Sequence, residues 1–200
     1  MVITCSAIYA ADGTISSWLW LVRDMTLQKQ LEAMRQLAFY DALTGLPNRA
    51  LFNDRFNHAL AVAQRRQEMM AVVFLDIDRY KGINDTFGHA VGDRVLQELA
   101  HRIQHCLRNQ DTVARWGGDE FTLILNPVES TQAAAQVVER MIASLQSPFE
   151  IQGYSLQVRA SFGVALFPQA SDNPDTLLRY ADIALYQAKN EGNGYQFYCP

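Results

Sequence analysis

Met70-Ala71-Val72-Val73-Phe74-Leu75 is apolar without a break, the pattern of a β-strand buried on both faces. It ends in Asp76-Ile77-Asp78, with Lys81 just beyond. Packing alone does not ask for two acids at the mouth of a core strand. A second acidic pair lies in Arg115-Trp116-Gly117-Gly118-Asp119-Glu120-Phe121. The β-prone runs Thr112-Val113-Ala114 and Phe121-Thr122-Leu123-Ile124-Leu125 flank it, so Gly117-Gly118 reads as a tight hairpin turn with the acids at its exit. Carboxylates there are costly to bury unless something positive compensates, and a divalent metal is the usual compensation. The bare backbone of Gly117 and Gly118 also leaves room for a large ligand to lie directly on it.

The chain has 200 residues, enough for one well-buried domain with a short appendage. A net charge of −4 argues against a nucleic-acid binder acting through bulk electrostatics. It leaves a nucleoside triphosphate open, because a metal and a few lysines can neutralise its phosphates. Cys5, Cys106 and Cys199 are far apart and lack metal-ligand spacing, so disulfides are not expected and a reducing cytoplasm is the default. Residues 1–26 are too polar and interrupted for a signal peptide or a membrane span. Membrane attachment of the parent protein would have to come from regions outside this chain.

Val2–Tyr9 and Trp18–Val22 alternate as strands around Asp12-Gly13, a strong hairpin signal. Leu27 to Tyr40 has the period of an amphipathic helix, with Leu27, Leu31, Met34, Leu37 and Ala38 on one stripe and Thr26 as N-cap. Such a stripe suits a two-stranded coiled coil or packing on the body of the next domain. Gly45 and Pro47 then break the helix. Further helical patterns cover 49–67, 91–107, 131–145 and 176–189. Strand patterns cover 149–151, 154–167 and 195–198, and no internal repeat is visible.

Five strings in this order, the second and third nearly adjoining, resemble the GGDEF family of diguanylate cyclases. Asp41-Ala42-Leu43-Thr44-Gly45-Leu46-Pro47-Asn48-Arg49 matches its opening D-x-L-T-G-L-P-N-R. Residues 76–85 match D-x-D-x-F-K-x-x-N-D with Tyr80 in place of Phe, and 88–93 match G-H-x-x-G-D. Gly117–Phe121 spell the signature, and Tyr186 to Gly194 resemble Y-x-A-K-x-x-G-R-N, departing at Asn193 and Gly194. Arg23, Asp24 and Thr26 are similar to the R-D-x-T junction that closes a PAS domain. Tyr195–Tyr198 resembles the lead into an EAL phosphodiesterase domain. The implied organisation is a PAS-like fragment at 1–26, a signalling helix at 27–40 and a GGDEF domain at 41–200.

The resemblance implies an α+β, palm-like nucleotide-cyclase fold with a central, mostly antiparallel sheet flanked by helices, preceded by a hairpin and a helix. It implies condensation of two GTP into cyclic di-GMP by a homodimer. Asp76, the Ile77 carbonyl, Asp119 and Glu120 would hold two Mg²⁺ (or Mn²⁺) ions, with Asp119 and Glu120 catalytic. Lys81, Lys189 and the backbone of 79–81 would cradle the triphosphate over Gly117 and Gly118. Asn84 and Asp93 would read guanine, with His89 close to the substrate. Arg108 and Asp111, with Arg140, would form a product-inhibition site. The loss of an arginine at Asn193 implies weaker nucleotide affinity. The alternatives are a catalytically silent GTP or cyclic di-GMP binding domain and a different nucleotide cyclase on a similar fold, the last discouraged by Asn84 and Asp93.

Overall fold

The computed structural model describes residues 2–23, 26–192 and 194–199. Asp24, Met25 and Asn193 lie outside them, as do the side chains of Arg23, Thr26, Leu27 and Leu31, so the R-D-x-T junction and the first part of the helical stripe are not described. The chain divides into two compact units, Met1–Ala38 and Phe39–Pro200.

In the first unit, β1 (Val2–Tyr9) and β2 (Ile15–Arg23) pair antiparallel. Asp12 Oδ1 accepts from the Thr14 amide and hydroxyl at 3.0 and 2.7 Å, and Gly13 takes φ 82°, so the D-G turn forms where its chemistry predicts. Helix α1 runs Thr26–Phe39. All of it but its last residue falls in the same compact unit as the hairpin. Met34 and Leu37 on its apolar stripe are 68% and 78% exposed.

The second unit is built on β3 (Met69–Ile77), which carries the apolar run. Its neighbours are β5 (Glu120–Val128) and β8 (Ala160–Phe167), both antiparallel to it; β4 (Thr112–Gly117) lies outside β5, and β9 (Tyr195–Phe197) lies parallel to β8 at the other edge. Alternate residues of β3 enter two cores. Ala71, Val73, Leu75 and Ile77 face helices α4 (His89–His105) and α5 (Thr131–Gln146). Met70, Val72 and Phe74 join Phe52, Phe56 and Leu60 of α2 (Arg49–Arg66) and Leu177, Ala181 and Leu185 of α6 (Pro174–Glu191). A strand covered by helices on both faces needs no polar face, which is the physical reason for the unbroken run. The fold is therefore the expected α+β sheet flanked by helices.

Three expectations change in detail. Residues 80–87 form a short helix, α3 (Tyr80–Phe87), that the strings had left unassigned. The 154–167 stretch is two elements: β7 (Tyr154–Leu156) pairs with β6 (Phe149–Ile151) in its own hairpin, and the chain then crosses to the central sheet as β8. In the signature hairpin, Gly117 pairs with Glu120, so the turn residues are Gly118 and Asp119. Gly118, at φ 54°, takes the left-handed corner.

Candidate active site

The two acidic stretches meet because β3 and β5 are neighbours. Asp76 stands opposite Glu120 on one side and Ser161 of β8 on the other. The Ile77 amide donates to the Asp119 carbonyl at 3.4 Å, which draws the signature turn onto the end of β3. Asp76 Oδ1 accepts from Lys189 Nζ at 2.8 Å, with the Asp76 side chain 13% exposed and the lysine 38%. Beside them Ser161 Oγ donates to Asp78 Oδ1 at 2.8 Å, and the Asp78 amide donates to the Arg159 carbonyl at 2.9 Å.

Burial pushes the Asp76 carboxyl above its ordinary value; the Lys189 ammonium opposes this, while Asp119 and Asp78 add to it. Burial also raises Glu120, and Asp76, Asp119 and Asp182 raise it further. Acids that lose water and repel one another, with one lysine among them, form an all-oxygen donor set short of positive charge. Mg²⁺ fits such a set, since it binds through one or two carboxylates and keeps its remaining positions for water and substrate phosphate. Among the described residues, no three acidic, histidine or cysteine side chains already converge on one point, so the fit is to a sparse site.

A cavity of about 1070 Å³ opens beside Asp76, Asp78 and Lys189, though Asp119 and Glu120 do not line it. Asp76, Asp78, Arg79, Arg159, Ser161 and Lys189 line its polar part, and Phe87, Ile142 and Leu145 its apolar part. Helix α3 begins here without a side-chain cap, so its first amides are open to an anion. A cleft with cations, free helix amides and desolvated acids can hold a polyphosphate and a divalent metal together.

The sequence model of the GGDEF domain, described as diguanylate cyclase, matches residues 38–194. The chain belongs to the GGDEF family. It is 43% identical over 169 residues to "Diguanylate cyclase TpbB" of Pseudomonas aeruginosa, covering 84% of this chain and 39% of that protein. "Cyclic di-GMP phosphodiesterase PdeR" of Escherichia coli is 37% identical over 172 residues, covering 86% of this chain and 26% of that protein. The chain thus spans well under half the length of the curated relatives it matches. Among solved structures, the coiled coil and GGDEF domain of DgcB from Caulobacter crescentus, in complex with c-di-GMP, superposes with a TM-score of 0.78 at 30% identity, covering 86% of this chain and 91% of that one.

Within this GGDEF domain the signature turn is held by a residue to which the sequence reading assigned no role. Arg115 Nε and Nη2 donate to the Gly118 carbonyl at 3.0 and 2.7 Å, while Nη1 donates to both carboxylate oxygens of Asp41 at 3.1 Å. Burial pushes the Asp41 carboxyl up, but hydrogen bonds from Thr44 and the charge and bond of Arg115 outweigh it and hold it below the ordinary value. Trp116 is clasped edge-on by Phe52 and Phe74, with the Arg49 guanidinium 4.3 Å above its ring. The opening D-x-L-T turn and the signature turn are one connected unit. Their separation of 74 residues hides that link from any local reading.

The other expected residues are distributed as follows. Lys81 is exposed on α3, and His89 is exposed at the start of α4; neither lines the cavity. Asn84 is half-buried on α3 and Asp93 exposed on α4, two helices that pack together. Asp111 closes a turn, its Oδ2 accepting from the Arg108 amide at 2.9 Å and its Oδ1 from the Asn126 amide at 3.3 Å. Arg108 is exposed. Arg140 donates from Nε and Nη2 to the Cys106 carbonyl at 3.1 and 2.6 Å, at the end of α4 and close to Arg108. The backbone of Arg79 was expected at the triphosphate, and its side chain also lines the cavity. Arg159 was not expected; nothing in its local sequence marks it, and the start of β8 brings it there.

Proposed function

We propose that residues 41–200 are a Mg²⁺-dependent diguanylate cyclase, condensing two GTP into cyclic di-GMP and two pyrophosphates as a homodimer with product inhibition. The observation that carries this reading is the desolvated pair Asp76 and Glu120, drawn against the signature turn in a chain of this family. Asp76, the Ile77 carbonyl, Asp119 and Glu120 are the groups that would hold the metal. Bound there, the ions would polarise the α-phosphate and offset the charge of the leaving pyrophosphate.

The chain's own residues supply the rest. Lys189, displaced from Asp76 by the ligand, Lys81 and the first amides of α3 hold the triphosphate. Arg79 and Arg159 line the same cavity and add cations in a chain whose position 193 is asparagine. Asp93 accepts from the guanine N1–H and amino group; adenine would present a lone pair to it at N1, an unpaired contact that disfavours ATP. Asp119 takes the proton of the ribose 3′-hydroxyl as that oxygen attacks the α-phosphorus of the second GTP and pyrophosphate leaves. Because each domain holds one GTP, turnover needs two domains face to face. Residues 1–26 are proposed as the end of a PAS-like sensor and α1 as the element that sets the dimer's geometry. A cytoplasmic location fits a GTP substrate.

The direct test is incubation of the protein with GTP and Mg²⁺ while pyrophosphate and cyclic di-GMP are measured. No product, together with tight cyclic di-GMP binding, would support the second reading, a silent binding domain. That reading draws support from relatives of comparable similarity that are named phosphodiesterases.

Two further outcomes are expected. Arg108→Ala should leave turnover intact and raise the inhibitory cyclic di-GMP concentration roughly ten- to hundredfold, the value of a charged hydrogen bond. Unaltered inhibition would remove Arg108 from the inhibitory site. The raised Glu120 carboxyl means that the folded state keeps a proton the unfolded chain has lost, so its effect on stability is unfavourable above the ordinary carboxyl range. In EDTA, Glu120→Gln should therefore melt higher than wild type at neutral pH, the gap closing as pH falls through that range. Added Mg²⁺ should raise the wild type more than the variant. A gap that is unchanged across pH, or no Mg²⁺ effect on melting, would contradict the metal assignment.

A further inference from the structure

Tyr80 stands where the family pattern carries phenylalanine, and its extra oxygen has a definite place. Tyr80 opens α3, and Asn84 follows one turn later on the same side of the helix. Their side chains meet above Gly92 of the next helix, and the negative charge of Asp93 acts on the Tyr80 hydroxyl. Gly92 of α4 lies against both. A Cβ there would overlap Asn84 Oδ1 and lie 3.0 Å from Asn84 Cγ and 3.0 Å from the Tyr80 hydroxyl oxygen.

Asn84 Oδ1 is buried and has no hydrogen-bond partner. With Oδ1 resting on the bare Cα of Gly92, the amide nitrogen is the group of Asn84 left to donate toward the neighbouring Tyr80 oxygen. A neutral phenol hydroxyl carries lone pairs that can accept from that amide. An asparagine amide has two N–H donors, so one remains for a ligand that also meets Asp93.

We propose that Tyr80 is a positioning residue for base recognition: its hydroxyl, with Gly92 as the floor, holds Asn84 so that an N–H donor is left for a base that also meets the Asp93 carboxylate. That donor and acceptor match a guanine, whose N1–H and amino group are flanked by the acceptors O6 and N3. Phenylalanine cannot hold the amide, and any side chain at 92 would push it away. This inference rests on the guanine-nucleotide reading given above.

The test is equilibrium binding of a non-hydrolysable GTP analogue, alongside cyclic di-GMP turnover and thermal melting. Tyr80→Phe should weaken analogue binding roughly three- to tenfold, the value of one buried hydrogen bond, and raise KM with kcat held. Its melting midpoint should stay within a degree or two of wild type. In an Asn84→Ala background the same change should have no effect on binding, because the group it positions is gone. Gly92→Ala should weaken binding at least as much, because its Cβ displaces the Asn84 side chain.

Wild-type affinity in Tyr80→Phe, or an equal loss with and without Asn84, would overturn the assignment while leaving the cyclase reading untouched. A loss that tracks a fall in melting midpoint would reduce Tyr80 to a packing role. Wild type that binds no guanine nucleotide would overturn both readings together.

Discussion

Asp119→Ala is expected to cut cyclic di-GMP formation by about 10²- to 10⁴-fold at every protein concentration, the range for removing a positioned general base. The loss should fall on kcat, because the groups proposed for the triphosphate and the base lie elsewhere, at Lys189, Arg159, Asn84 and Asp93. The fold should survive. What Asp119 contributes to the architecture is its backbone carbonyl, which accepts from the Ile77 amide at 3.4 Å and is kept by alanine. Raising the concentration of the variant should not rescue it, which separates a chemical defect from a weakened dimer. Product at a tenth of the wild-type rate or more would remove Asp119 from the reaction.

The second large effect is expected at Arg115, which touches none of the groups assigned to the metal. Arg115→Ala leaves the Asp41 carboxylate partly buried and without its guanidinium, in a pair whose side chains are 15% and 22% exposed. Stranding a charge of this kind costs about 2–3 kcal/mol, below the fully buried figure because water still reaches the edge of the pair. The Gly118 carbonyl loses two donors at the same time. Asp119, the next residue, is then carried on an untethered turn, and displacement of a reacting group by an ångström can cost about 10²-fold in rate. Arg115→Lys should recover part of the stability and little of the activity, since a single ammonium cannot reach both Asp41 and Gly118 as a fork does. Chemical denaturation and turnover on the same samples decide the matter. Full activity with lowered stability would mean that the tether serves folding only.

Asp41 also bears on acid sensitivity. Its carboxyl is held low in the folded state, so its contribution to stability is present at neutral pH and is lost as pH falls through its lowered value. That sign is opposite to the one for Glu120, where the folded state prefers the proton.

Much of the architecture is legible in local patterns because the forces are local. The β3 run, the apolar stripes of α2, α4, α5 and α6, and the Asp12-Gly13 turn are each dictated by burial period or turn chemistry within a few residues. Boundaries shifted where tertiary pairing competes with pattern. The signature turn moved by one residue because Gly117 stays in the ladder opposite Glu120, and the 154–167 stretch divides because its first part pairs with β6.

The amino-acid sequence alone determined the family, the central strand and the identity of the acids, since each is written in contiguous residues whose chemistry has no packing purpose. Tertiary structure alone decided how those residues work on one another. It set Glu120 across from Asp76, Lys189 on Asp76, Arg115 between Asp41 and Gly118, and Gly92 beneath Asn84. These partners lie far apart in the chain or on different helices, and only strand register and helix packing bring them together. A carboxyl's proton affinity, a guanidinium's fork and an amide's orientation all depend on neighbours within a few ångströms, and linear order does not specify those.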